Sequence, residues 1–273
     1  MSENEYLESA RTMLKILTGK KYIWFTSRCN ESIRVSLQVL ADIGRHHALL
    51  QDEGGWMTYE KYIKQAGLEP VRLITHDGLI YPKELDRFDT DGVLLLNSLA
   101  GYVAMHDMED ISLHCAKNDI LLINDVSGSI GTSAAKHGDI IIGSFGKAKP
   151  VNLGMGGFFA TDDKDLFDKA KELFGKEFDL DFNILGTKLK NLETRQAFLQ
   201  SRVKLIKEDL KDLSLVHPED SQALNVIVRF ENDEEKEKIL SYCDKNNLEH
   251  TLCPREIRIQ DDAISIEVKR LEN

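Results

Sequence analysis

The groups able to do chemistry in this sequence crowd into one stretch, INDVSGSIGTSAAKHGDIIIGSFGKAKPVNLGMGG, residues 123–157. A carboxylate, Asp125, ends an apolar run, and a Gly/Ser loop follows it. Gly138-Asp139 opens the next apolar run, which closes on Ser144. Two loop lysines come next, Lys147 and Lys149, and then the glycine cluster Gly154-Met155-Gly156-Gly157. A carboxylate can hold a cation or take a proton, hydroxyls can bind an anion, and an amine can act as nucleophile or base. Each also has a plainer alternative. Asp125 could cap a loop N–H, Ser144 could be a turn serine, and a loop lysine is on average simply solvated.

The elements that must position these groups follow from short apolar runs bounded by turn residues, at 22–27, 47–51, 71–75, 92–98, 120–125, 139–145 and 156–161. They read as buried strands. Between several of them lie segments of helical periodicity, notably Asn30–Ile43, Thr58–Ala66 and Asp107–Lys117. This alternation predicts an α/β fold, a mostly parallel sheet covered on both faces by helices. Ligands then bind beyond the carboxyl ends of the strands. Those ends carry Thr26 and Ser27, Gln51 and Asp52, Asn97 and Ser98, Asp125, and Ser144, a more polar edge than strand capping requires. After Thr161 come charged helical stretches, Lys164–Phe174 and about Thr187–Leu213. Ala223–Phe230, a helix near Glu234–Asn246 and Ile264–Val268 then suggest a small α+β unit. The expected division is a large domain over residues 1–200, N-terminal helix included, and a small C-terminal domain over 201–273.

Composition removes several classes. The 273 residues carry 46 acidic and 35 basic side chains, a net charge of −11, with a pI near 5.3. No basic run is available to neutralise a phosphate backbone, so nucleic acid is not an expected partner. No run of about 18 apolar residues exists to span a membrane, and the acidic, amphipathic start is unlike a signal peptide. Cys29, Cys115, Cys243 and Cys253 form no CxxC pair, which fits neither a zinc site nor a disulfide framework and suits a reducing cytoplasm. The eight histidines show no metal spacing, and no metal is expected.

The run from Gly138-Asp139 through Ser144-Phe145 and Lys149 to Gly154-x-Gly156-Gly157 resembles the active-site segment of fold-type I pyridoxal-phosphate enzymes, most closely the DegT/DnrJ/StrS aminotransferases. Glu31-Ser32-Ile33-Arg34 onward resembles their first sheet-covering helix. Gly54-Gly55-Trp56-Met57 falls where they carry a ring-stacking aromatic, ahead of Gly67-Leu68-Glu69-Pro70-Val71. The resemblance covers about residues 22–200 and implies a large α/β domain with a small α+β domain, pyridoxal 5'-phosphate as cofactor, and a homodimer with active sites at the subunit interface. It implies that Lys149 forms the internal Schiff base and later moves a proton as general base, with Lys147 the competing lysine. Asp125 would hold the pyridine nitrogen protonated, so that the ring acts as electron sink. Trp56 would stack on the ring. The phosphate would lie on Ser27, Arg28, Cys29 and Asn30 at a helix N-terminus, together with Ser144. Asn97 would lie near the phenolic oxygen. The reaction implied is transfer of an amino group from an amino-acid donor to a keto acceptor.

The sequence also departs from the family. The usual small-residue phosphate loop is here Ser27-Arg28-Cys29-Asn30-Glu31-Ser32, which makes Arg28 a candidate for binding the phosphate directly. Val126-Ser127-Gly128-Ser129 replaces the glutamine or histidine that relatives carry after the aspartate. The chain is shorter than a typical member. Arg255, Arg258 and Arg270 are available for a substrate carboxylate, although Arg258 alternates with Ile257 and Ile259 as a solvent-facing strand residue would. Helix 187–213, with Arg195 and Arg202, reads as a solvated or dimer-packing face, and helix Glu5–Leu17 could cross a dimer interface. Two rival functions remain. One is another pyridoxal-phosphate reaction, such as a lyase or desulfurase, which would need a mobile Cys29 or Cys253; the other is a non-catalytic homologue kept for dimerisation or regulation.

Overall fold

The structure, a computed structural model, describes residues 2–88 and 91–272. Its larger part runs through α1 (Glu3–Thr18), β1 (Tyr22–Thr26), α2 (Cys29–Asp42), β2 (His47–Gln51), α3 (Tyr59–Gln65), β3 (Glu69–Leu73), β4 (Gly92–Asn97), the short hairpin β5 (Leu99–Ala100) and β6 (Ala104–Met105), α4 (Met108–Lys117), β7 (Leu121–Asp125), β8 (Ile140–Ser144), β9 (Gly157–Thr161), α5 (Lys164–Phe174), α6 (Phe182–Lys190) and α7 (Leu192–Asp209). The main sheet has seven strands in the order β1-β9-β8-β7-β4-β2-β3, and β9 alone runs against the rest. Strands buried on both faces read as unbroken apolar runs, and β4, GVLLLN, is buried at all six positions. Val93, Leu95, Ile123 and Ile142 face the core under α2 and α5, while Leu94, Leu96 and Leu122 face the one under α4.

The sequence expectation of a mostly parallel sheet covered by helices holds, with local differences. The edge strand β3 runs Glu69–Leu73 rather than 71–75. Pro70 is tolerated there because an edge leaves one side of the backbone unpaired; Thr75 lies past the strand and donates its Oγ hydrogen to Asp52. The long helix expected at 187–213 is two helices, α6 and α7, broken at Asn191, which closes one and opens the next. Helix α1 lays Ala10 and Leu14 into the core shared with Ile23, Phe25 and Leu185, so its apolar stripe is covered by α6 and β1 of its own chain.

The remaining elements, β10 (Ser214–Leu215), β11 (Val226–Arg229), α8 (Asp233–Lys245), β12 (His250–Leu252) and β13 (Ala263–Ile266), form an antiparallel sheet in the order β10-β11-β13-β12. Helix α7 belongs to both parts: Leu192 packs with the α1–α6 core, and Leu199, Val203 and Ile206 pack on the small sheet. Arg258 corrects the expectation of a solvent-facing strand residue. It lies in a bend between β12 and β13, 5% exposed, and clasps Glu267 with Nη2 at 2.8 Å and Nε at 3.0 Å. A buried carboxylate must be paired and hydrogen-bonded to be tolerated. Lys269 pairs with Glu267 as well, and Ser265 donates to it at 3.1 Å. Burial alone would raise the Glu267 carboxyl, but Lys269 and Arg258 outweigh it and hold it well below the usual carboxylate range.

His106 is buried at the β6 end, where Nε2 accepts the Ile80 N–H at 3.1 Å. Burial pulls its pKa down to about 4, against about 6.5 in an unfolded chain. Below that unfolded value only the unfolded state takes the proton. The associated stability is therefore complete above pH 6.5 and is lost as pH falls towards 4, a change of about 3 kcal/mol. Urea denaturation at a series of pH values should show this fall, and His106→Gln should flatten it.

Candidate active site

The carboxyl ends of β1, β4, β7 and β8 open on one cavity of about 460 Å³. The nine residues to which the resemblance gives a cofactor role all line it: Ser27, Arg28, Cys29 and Asn30 at the start of α2, Trp56 on the loop after β2, Asn97 and Asp125 at the ends of β4 and β7, Ser144 at the end of β8, and Lys149 on the loop beyond it; Thr26, Gln51, Asp52 and Ser98, also at strand ends, do not. The meeting of α2 with β9 makes the enclosure possible. A Cβ on Gly157 would stand 2.7 Å from the Cys29 nitrogen and 2.8 Å from the Gly143 oxygen, so only glycine lets these backbones touch. Asp139 ties the start of β8 to β7, accepting the Leu122 N–H at 2.7 Å.

Asp125 is 5% exposed: Oδ1 accepts the Ser127 N–H at 3.0 Å and Oδ2 accepts the Tyr59 hydroxyl at 2.8 Å. Burial, and then Asp125, push the Tyr59 phenol well above its usual range, so it stays a donor. Lys149 is aimed by its loop. Ala148 just before it adopts the left-handed region at φ 58° and donates its N–H to Asn152 at 3.1 Å, and Pro150 follows. Such a conformation costs a non-glycine residue 1–3 kcal/mol or so and turns the chain sharply. Lys147 also borders the cavity but is exposed. The Lys149 Nζ donates to the Tyr102 hydroxyl and lies 5.6 Å from the Trp56 ring centroid. Burial lowers the proton affinity of this ammonium, but Tyr102, Asp125 and Cys29 outweigh burial and the net shift is upward.

At the α2 N-terminus the side chains also bond to one another and to Trp56. Asn30 gives its Oδ1 to the Trp56 Nε1–H at 2.9 Å and so fixes the indole. Ser27 gives both its N–H and its hydroxyl to Glu31, at 3.1 and 2.8 Å. Arg28 caps the helix without a side-chain cap bond, exposed, and engages no ion pair among the described residues. Cys29 is buried beside Ser127, and burial followed by Asp125 pushes its thiol well above its usual range. Ser144 accepts the Gly146 N–H at 3.1 Å. Asn97 donates Nδ2 to the Gly54 carbonyl at 3.2 Å, while its buried Oδ1 has no partner.

Tyr59, Tyr102 and Ser127 contribute to the site without having been singled out. Tyr59 had a signal, three residues after Trp56 at the start of an amphipathic helix. Tyr102 had none: it sits at φ 65° in the turn between β5 and β6 and meets Lys149 only in the fold.

The sequence profile described as the DegT/DnrJ/EryC1/StrS aminotransferase family matches residues 3–253. The chain belongs to this family. Among solved structures, a DegT/DnrJ/EryC1/StrS aminotransferase from Brucella abortus superposes with a TM-score of 0.75 at 16% identity, covering 96% of this chain and 84% of that one. 3-Amino-5-hydroxybenzoic acid synthase gives 0.74 at 14%, covering 97% and 85%. The Helicobacter pylori PseC aminotransferase involved in pseudoaminic acid biosynthesis gives 0.73 at 16%, covering 96% and 85%. No curated protein sequence matches. At these identities the superpositions establish the fold, fold-type I, and the profile match establishes the family. Enzymes of the family are pyridoxal-phosphate-dependent aminotransferases.

The residues present fit that cofactor. The orphaned Asn97 Oδ1 calls for a hydroxyl donor, the unpaired Arg28 beside first-turn N–H groups of α2 suits a phosphate, and Lys149 offers an amine to the same cavity. The cysteines do not suit a nucleophilic role. All four are buried and unpaired, and Cys253 lies in an apolar cluster away from the cavity. With thiols pushed upward by burial, the native protein should leave all four untitrated by a disulfide reagent at pH 8 over minutes, and release four on denaturation. Rapid reaction of Cys29 in the folded protein would reopen the desulfurase alternative.

Proposed function

We propose that Lys149 is the amine that holds pyridoxal phosphate and carries the proton in an amino transfer from an amino-acid donor to a keto acceptor. The observation behind this is the convergence of Lys149, Asp125 and Trp56 on one cavity whose other wall is the N-terminal turn of α2. When bound, the cofactor supplies an electron sink for the carbanion formed at the donor's Cα. Asp125, held in place by the hydrogen bonds it accepts from the Tyr59 hydroxyl and the Ser127 N–H, would face the pyridine nitrogen and keep it protonated. Trp56, fixed by Asn30, would orient the ring. Arg28, the α2 N–H groups and Ser144 would bind the phosphate, with Ser27 and Cys29 lining that end and Asn97 placed for the phenolic oxygen. The freed Lys149 amine would take the proton from the donor's Cα and deliver it to the cofactor carbon, the shift that amino transfer requires.

We further propose that the chain works as a homodimer with the cavity at the subunit interface, that its units divide near residue 200 inside α7, and that it acts in the cytoplasm. Met57 and Met155, 48% and 53% exposed at or next to the cavity lining, offer apolar surface to a second copy, and four unpaired cysteines suit a reducing compartment. Retention of every cavity group argues against the non-catalytic alternative.

The test is a half-reaction. The protein loaded with pyridoxal phosphate should lose its visible band on addition of one member of a panel of amino donors and regain it with a keto acid. Lys149→Ala should slow this by roughly 10²–10⁴-fold, and light scattering should give twice the chain mass of 31.0 kDa. A band that no donor changes would contradict amino transfer.

A further inference from the structure

Tyr102 is buried, yet its hydroxyl reaches the cavity and receives the Lys149 N–H. Its place is over-determined. The backbone is held in the left-handed region at φ 65°, its carbonyl accepts the N–H groups of both Leu224 and Asn225 at 2.9 Å, and its own N–H is bound to Leu99 at 3.1 Å. Behind the ring stand two cations of the small domain, the Lys269 Nζ at 4.6 Å and the Arg258 guanidinium at 5.4 Å from the centroid; the Lys149 Nζ is also 4.6 Å away. Glu267 ion-pairs with both and anchors them. A ring face attracts cations, so the buried cluster grips the tyrosine while the tyrosine grips the lysine.

We propose that Tyr102 is the positioning residue for Lys149, fixing where Nζ lies in the cavity, and that the Arg258–Glu267–Lys269 cluster of the small domain in turn fixes Tyr102. A phenol suits this work because it accepts a hydrogen bond from the ammonium and donates one to the neutral amine. Nζ therefore keeps one place while it loses and regains its proton. The proposal gives Arg258 and Lys269 a role in the site without contact with substrate, and rests on Lys149 being the reactive amine.

The groups facing Lys149 are Tyr102, Asp125, Cys29 and Lys269. Tyr102 favours the ammonium, so its loss should let Nζ shed its proton at lower pH. The full chain, prepared without added cofactor, is acylated over a range of pH, and Lys149 modification is read by peptide mass mapping. In the wild type the Lys149 midpoint should lie above the ordinary lysine value of about 10.4. Tyr102→Phe, which keeps the ring under Arg258 and Lys269, should bring it down by about one pH unit. Ser265→Ala, which loosens the Arg258–Glu267 contact and keeps the Tyr102 hydroxyl, should lower the melting temperature and move the midpoint by less than Tyr102→Phe does. A wild-type midpoint below the ordinary value, a Tyr102→Phe curve that overlays the wild type, or an equal shift in Ser265→Ala would overturn the proposal. Because no cofactor takes part, these results are separate from whether pyridoxal phosphate attaches to Lys149.

Discussion

The start of α2 lies backbone to backbone on the β8–β9 hairpin, and the cavity exists because of that contact. Gly157 admits it, since any side chain there would strike the Cys29 nitrogen and the Gly143 oxygen. Gly143 in turn leaves room for Phe158, whose ring a Cβ would meet at 2.4 Å. Once the two backbones touch, the N–H groups of the first helical turn, the end of β7 with Asp125, and the loop carrying Lys149 are brought to one enclosure. The parallel order β8-β7-β4-β2 then sets Asn97 and the Trp56 loop on the same side. A sheet of this topology delivers its strand ends to a single crevice, and the glycines determine how closely the helix closes it.

A second level of order comes from buried charge. Asp125 and Glu267 are both removed from water, and each is tolerated because donors surround it: a phenol and a backbone N–H in one case, two cations and a hydroxyl in the other. Breaking such an arrangement by removing one partner typically costs 3–5 kcal/mol. The two clusters are joined by Tyr102, which lies against the small-domain cations on one hand and the Lys149 amine on the other. The cavity is therefore continuous with the core of the four-stranded sheet, and α7, shared between both cores, carries the same continuity through the backbone.

The fold class and the wall of the cavity were legible because both follow from regular spacing. Buried parallel strands are unbroken apolar runs, and the residue after each run is at the sheet's binding edge. What escaped depends on contacts that spacing does not encode. Ile257-Arg258-Ile259 alternates as a strand would, but a buried partner at Glu267 pulls Arg258 inward from a bend. Asn191 breaks a helical pattern with a single polar residue of ordinary type. Tyr102 follows Gly101 in a tight turn and meets a lysine 47 positions away. At the α2 start the residue types suited an anion, and spacing did not reveal that Asn30 also meets Trp56 and Ser27 also meets Glu31. Lys147 was the sequence's competitor to Lys149, and the Lys149 contact with Tyr102 across the turn at left-handed Ala148 is one that spacing does not encode.

The central claim is that Lys149 is the amine that takes the cofactor. Borohydride reduction of the protein with pyridoxal phosphate, followed by peptide mass mapping, tests it most directly. A phosphopyridoxyl group on Lys149, absent after Lys149→Ala, is the result expected. An adduct on Lys147 with Lys149 unmodified, or no adduct on either, would contradict the account.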